Sequence, residues 1–268
     1  MTVQALSGET RRVRRIAAVS LAALLAASTS ACQTARTAQP DASYAMAAAP
    51  PQTGAHGNQS VAAWGNRYRT NPRDPAVAIN YAHALRVNGQ RAQAVAVLEQ
   101  ASIHNPSNMQ LLGAYGRALA DVGNYKQALE VLNRAHTPDR PDWRILNVQG
   151  AVLDQVGRNE DARRYYMTAL RIVPDEPSVL SNLGLSYALS RDLPRAEATL
   201  KRATAGGRRV DPRVRQNLAL VVGLQGRFAE AEAIARADLP PAEAAANVAY
   251  LRQLLSQQSA AARRSGRS

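Results

Sequence analysis

The sequence predicts an all-α protein: an α-solenoid of about five helix-turn-helix units, with an N-terminal half-repeat and a C-terminal capping helix. Three observations carry that prediction. First, "NGQRAQAVAVLEQA", "VGNYKQALEVLNRA" and "VGRNEDARRYYMTA" align without gaps from Asn88, Val122 and Val156, a 34-residue interval. "SRDLPRAEATLKRA" from Ser190 keeps the interval, and "QGRFAEAEAIARA" from Gln225 follows one inserted residue. Second, an apolar stripe precedes each copy: "INYAHAL", "LGAYGRAL", "LNVQGAVL", "LSNLGLSYAL" and "QNLALVVGL". Apolar residues recur there at three and four, the mark of a helix with one buried face. Third, no convincing strand interrupts the pattern.

The chain begins with a candidate export signal over residues 1–31. "RRVRR" at 11–15 leads into the uncharged run Ile16–Ala27, and the small residues Ser28–Ala31 follow. The run is too short to cross a hydrocarbon core, which needs about 20 residues. The sole cysteine, Cys32, follows directly, so an internal disulfide is excluded. A small-residue site ending on cysteine resembles the lipobox of bacterial lipoproteins, with Ser30 and Ala31 in place and Thr29 where leucine is commoner. The resemblance implies cleavage before Cys32 and lipidation of its thiol. Each buried methylene would then add about 0.8 kcal/mol of membrane affinity. Gln33, in place of aspartate, leans the sorting toward the outer membrane, with the protein facing the periplasm.

Residues 32–57 read as a flexible Ala/Pro linker, too poor in large apolar residues to fold. Residues 58–73, "NQSVAAWGNRYRTNP" and the following Arg73, read as a second helix lacking its partner. Trp64 falls there where later copies carry Leu98, Leu132, Tyr166 and Leu200. Five units then occupy 75–240, as 75–108, 109–142, 143–176, 177–211 and 212–241. Gly89, Gly123, Gly157 and Gly226 mark the turns inside units, where glycine suits a left-handed close. Residues 242–258 form an amphipathic capping helix, with Val248, Leu251, Leu254 and Leu255 on one side. The basic residues 259–268 read as a disordered tail.

This pattern resembles the tetratricopeptide repeat. The family places a small residue midway along its first helix, matched by Ala82, Gly116, Gly150, Gly184 and Ala219. Its early alanine in the second helix is matched by Ala94, Ala128, Ala162, Ala196 and Ala231. Its later alanine is matched by Ala101, Ala135, Ala169 and Ala203, whereas Asp238 departs. The closing proline stands at Pro106 and Pro174, and one place late at Pro141.

The formal charge is +13, and removing residues 1–31, with four arginines and one glutamate, lowers it to +10. For an exported chain the opposites are anionic lipid headgroups, an acidic envelope polymer or an acidic protein rather than nucleic acid, and the scattered basic residues also read as a solvated surface. Chemistry is not signalled. His56, His83, His104 and His136 stand far apart, with no cysteine beside them, so no metal site is expected. Glu160–Asp161 and Asp175–Glu176 sit at helix starts or turns. No nucleophile elbow or phosphate loop occurs. The expectation is a non-enzyme without a cofactor.

Stacked units of this kind expose the first helices on a concave side. The outward-facing places there are Ile79, His83 and Arg86, then Arg117 and Asp121, then Asn147, Asp154 and Gln155. Ser181, Leu185 and Leu189 follow, with Gln216, Leu220 and Leu224 last. The start is polar and partly basic and the end apolar, which suits a peptide with an acidic end and an apolar end. Two readings stand for Leu185, Leu189, Leu220 and Leu224: they face a partner, or they pack on the helix at 242–257. The set does not match the lysine-and-asparagine clamp by which some chaperone-binding repeats hold a C-terminal carboxylate. The whole resembles the repeat lipoproteins of the tight-adherence (Tad/Flp) pilus machinery and, more distantly, pilotins. That resemblance implies a membrane-anchored scaffold for a pilus or secretion component such as a secretin. A general envelope adaptor for cell-wall or outer-membrane assembly is the alternative.

Overall fold

The computed structural model describes residues 55–206 and 210–265, with side chains from 57 to 258 within those bounds. The signal segment, Cys32 and the linker up to residue 54 lie outside the described residues. Twelve helices are described. They are α1 (Ala55–Thr70), α2 (Pro75–Val87), α3 (Arg91–His104), α4 (Met109–Asp121), α5 (Tyr125–Asn133), α6 (Trp143–Gln155) and α7 (Asn159–Ile172). Then come α8 (Pro177–Leu189), α9 (Leu193–Ala203), α10 (Pro212–Leu224), α11 (Phe228–Ala235) and α12 (Pro241–Ser265).

Each first helix starts on a side-chain cap. Asp74, Asn108, Asp142, Glu176 and Asp211 accept hydrogen bonds from backbone N–H groups of the opening turn. Such a cap is worth about 1 kcal/mol. Each first helix ends in the same left-handed turn, with φ near 80° at Gly89, Gly123, Gly157 and Gly226. The next amide then bonds back across the turn, as from Gln90 to Leu85 O at 2.8 Å and from Arg158 to Leu153 O at 2.9 Å. In the fourth unit Arg191 takes that place at φ 62°.

Within a unit, one contact sets the helix crossing. Leu132, Tyr166 and Leu200 of the second helices are fully buried against Gly116, Gly150 and Gly184 of the first. A Cβ on Gly150 would lie 2.5 Å from the Tyr166 ring, and one on Gly184 would lie 2.6 Å from Leu200 Cγ. The small-residue positions expected from the sequence are therefore the points of closest approach.

Between units, consecutive first helices touch in the series α2, α4, α6, α8, α10, α12, while among the described residues the second helices do not touch one another. The stack therefore closes on the side of the first helices and opens on the other, so the first helices line the concave wall. Helix α1 packs on α2 as the second helix of an incomplete unit, and Tyr68 lies 5.4 Å from Tyr81.

Helix α12 differs from the expected cap. It runs to Ser265, past 258, so the first seven residues of the expected disordered tail are helical; the Ala260–Ala262 run favours that continuation. It begins at Pro241, within the expected fifth unit, and α1 likewise reaches back to Ala55, into the expected linker. Helix α12 lies against α10 and α11 as the first helix of a sixth unit and does not reach α8. Ala244, Val248 and Leu251 are buried in that contact, while Leu254 is 36% exposed and does not join them.

The departure at Asp238 also has a cause. Its carboxylate takes a two-pronged ion pair from Arg215 of α10, and both side chains are nearly buried. Interior units carry Leu112, Leu146 and Leu180 where Arg215 stands, so an ion pair here replaces an apolar contact.

Two substitutions test these contacts. Gly150→Ala is expected to lower stability by about 1–3 kcal/mol, because the Tyr166 ring must move. At an open helical site the same change would instead stabilise by about 0.5–1 kcal/mol. Arg191→Gly is expected to stabilise by about 0.5 kcal/mol, since relief of about 1–2 kcal/mol of left-handed strain exceeds glycine's added chain entropy. Urea unfolding of each variant reads both signs.

Candidate functional site

The candidate site is the wall formed by α2, α4, α6, α8, α10 and α12. Its first part is charged. Arg86 Nε lies 2.5 Å from Asp121 Oδ2, tying unit one to unit two. Arg117 reaches solvent beside them and makes no direct ion pair among the described residues. Desolvation against the wall, and then the neighbouring Arg86 charge, hold its pKa below the ordinary arginine value, opposed by Asp121 and Asp142. His83 is exposed, whereas Ile79 packs against the first core cluster and is not free.

The middle part is knitted by polar contacts between units. Asn182 donates to Asn147 Oδ1 at 2.9 Å, and Asn217 donates to Ser181 Oγ at 2.9 Å. Asp154, expected to face a partner, instead accepts from Asn159 at 2.7 Å, Ser186 at 2.8 Å and Tyr166 at 2.9 Å. Burial raises its pKa against the opposing pull of those three donors, and burial first, then the Asp154 carboxylate, raises that of the Tyr166 hydroxyl. Gln155 stays exposed and lies 3.4 Å from the Tyr125 hydroxyl. His136 is half-buried, with Nε2 3.1 Å from Gln149 Oε1.

The last part is apolar. Leu189 is 43% exposed, and Leu185, Gln216 and Leu224 are half-buried. Ser181 and Leu220 are buried, so they support the wall rather than face a partner. The helix at 242–257 does not cover Leu185 or Leu189, because α12 stays on α10 and α11. At the opposite ends of α8 and α10 an open cleft of about 730 Å³ is lined by Ser178, Ser181, Asn182, Val214 and Asn217, among others. Sequence reasoning missed the amides of Asn182 and Asn217, although they stand at equivalent places in successive units.

Among the described residues no group of three or more His, Cys, Asp or Glu side chains is placed to hold a metal ion. Nor is any helix among them long and apolar enough to cross a membrane.

Comparison with known proteins agrees with this geometry. Models of the tetratricopeptide repeat match residues 88–149, 148–212, and both 75–100 and 212–237. These matches run together from 75 to 237 of 268 residues, and the chain belongs to the tetratricopeptide-repeat proteins.

The crystal structure of PilW, a widely conserved type IV pilus biogenesis factor, superposes with a TM-score of 0.63 at 17% identity, over 72% of this chain and 90% of that one. The Cut9–Hcn1 hetero-tetramer of the APC/C gives 0.59 at 15% identity, over 74% of this chain and 40% of that one. A tetratricopeptide repeat protein from Parabacteroides merdae gives 0.50 at 20% identity, over 69% and 76%. At these identities the likeness is one of fold. No curated protein sequence matches.

One charged node holds the apolar half together. Glu197, 9% exposed, receives Lys201 from its own helix, and Gln225 and Arg227, which join the fifth unit to the fourth. Hydrogen bonds from Lys201 first, then Gln225 and Arg227, pull its pKa from 4.5 to about 2. A folded-state pKa below the unfolded one adds stability that is complete above about 4.5 and fades as pH falls toward about 2. Glu197→Gln is expected to lose on the order of 1–2 kcal/mol at neutral pH, after solvent screening, and to flatten the acid limb of the stability–pH curve. Urea midpoints from pH 7 to 3 check both effects.

Proposed function

We propose that this protein is a membrane-anchored adaptor that holds a protein partner in its concave wall and assists assembly of a Tad/Flp-type pilus or secretion apparatus. The observation that carries the reading is the open wall itself. Arg117 and Leu189 are exposed and Leu224 is half-buried along the face that the first helices form. Tetratricopeptide repeats bind protein partners, and this wall keeps His83, Arg117 and Leu189 exposed for that task.

Three features support the finer reading. The Cys32 lipobox and the linker after it give a tether that keeps the repeats clear of the bilayer. The repeat lipoproteins of the tight-adherence machinery, TadD among them, share this layout. PilW, described as a type IV pilus biogenesis factor, shares the fold over most of its length. A secretin, or another pilus or secretion component, fits the partner role, with the outer membrane as the anchoring surface and the periplasm as the working space.

Two experiments test the proposal. A photo-crosslinking residue at Leu189 or Leu224 in living cells is expected to capture a pilus or secretion component, while one at Glu130 on a second helix captures none. Capture of cell-wall or outer-membrane assembly proteins instead would refute the pilus assignment. Cys32→Ser is expected to abolish palmitate labelling and release the protein from membranes; labelling that persists would remove the tether from the account.

A further inference from the structure

The last helix extends the wall. A Cβ on Gly223 of α10 would touch Leu251 of α12 at 2.5 Å, the same junction at which Asp154 of α6 meets Ser186 of α8. That shared junction fixes the register of α12 against the earlier first helices. Leu254 then stands where Leu189 and Leu224 stand, and Tyr250 where Leu185 and Leu220 stand. Leu189, Tyr250 and Leu254 are 43%, 64% and 36% exposed, so the apolar strip runs on over three first helices. Along the opposite edge of the same wall the cleft presents Ser178, Asn182 and Asn217. The C-terminal half of the wall is thus apolar along one edge and polar along the other.

Spacing decides what kind of chain matches it. Neighbouring packed helices sit about 8–10 Å apart, so the strip offers one apolar contact per 8–10 Å. A helix laid along the stack advances about 10.5 Å per seven residues and meets each contact with one turn-matched apolar residue. An extended chain turns alternate side chains to one face about every 7 Å and falls out of step within two units. Charge fixes the other end. Arg117, without a direct ion pair, lies on α4, two first helices before Leu189 on α8. Two units correspond to about 14 residues of such a helix.

Resting on the adaptor reading above, we propose that the occupant is an amphipathic α-helix of a partner protein. Its apolar residues recur every seven and face Leu189, Leu224 and Leu254, and its acidic residues lie about two heptads away, at Arg117. A second copy of this chain is disfavoured as occupant by its charge, +10 without residues 1–31, which opposes close approach of two copies.

The test uses the full-length chain in detergent and two fluorescein-labelled synthetic peptides of about 26 residues, the length needed to span the wall. One carries leucine every seven residues in one half and glutamates in the other. The second has the same composition with leucines at alternate positions. By anisotropy, the helical peptide is expected to bind at least about tenfold more tightly than the alternating one. Leu189→Glu with Leu254→Glu should remove about tenfold of that affinity without changing the far-ultraviolet circular dichroism. Arg117→Glu should weaken binding, and exchanging the peptide's glutamates for lysines should restore it.

Equal affinity for both peptides, no binding of the helical one, or binding indifferent to Leu189 and Leu254 would each overturn the inference. So would self-association in sedimentation that the Leu189 and Leu254 changes abolish. Partner crosslinks from the wall together with equal affinity for both peptides would sink this inference alone. Failure of those crosslinks would sink the adaptor reading.

Discussion

The architecture depends on one steric arrangement repeated through the three middle units: a large side chain of the second helix seated on a glycine of the first. Leu132 on Gly116, Tyr166 on Gly150 and Leu200 on Gly184 let the paired helices approach more closely than any Cβ-bearing pair of that size would allow. Close pairing inside a unit fixes the angle at which the next unit can stack. The first helices then touch in series while the second helices stay apart. The concave wall is the consequence, and with it a row of side chains that the packing does not consume.

What the wall presents follows from what the unit junctions demand. Where a junction is polar, as at Asn147–Asn182, Ser181–Asn217 and Asp154–Ser186, the side chains that face inward are partly spent on each other. Where it is apolar, as around Leu189 and Leu224, the column above the junction remains open. Arginine also lies over aromatic rings at several places, as Arg67 over Trp64 within α1 and Arg252 of α12 over Phe228 of α11.

Much of this was legible in the sequence because it depends on residues close along the chain. The 34-residue period, the glycine turns and the small-residue positions are each set within one helix pair, and each lies where the pattern placed it. The misreadings share a different origin. Whether Asp154, Ser181 and Leu220 are free depends on neighbours one unit away, across about 35 residues, where a one-dimensional pattern carries no information. The fate of α12 was open for the same reason: its apolar face suited both a groove filler and a stacked sixth helix. Asp238 looked like a lapse in the pattern until its partner Arg215 was seen beside it. Arg191 kept the turn without glycine, and nothing in the local sequence marked it.

A direct distance measurement tests the open wall most simply. Spin labels at residues 83 and 254, in a Cys32→Ser background, report the separation of α2 from α12. Five steps between packed helices, less some curvature, place the labels about 35–50 Å apart in one narrow distribution. A main population below about 20 Å would mean that the terminal helix folds back over the wall, and the account of an open recognition surface would be wrong.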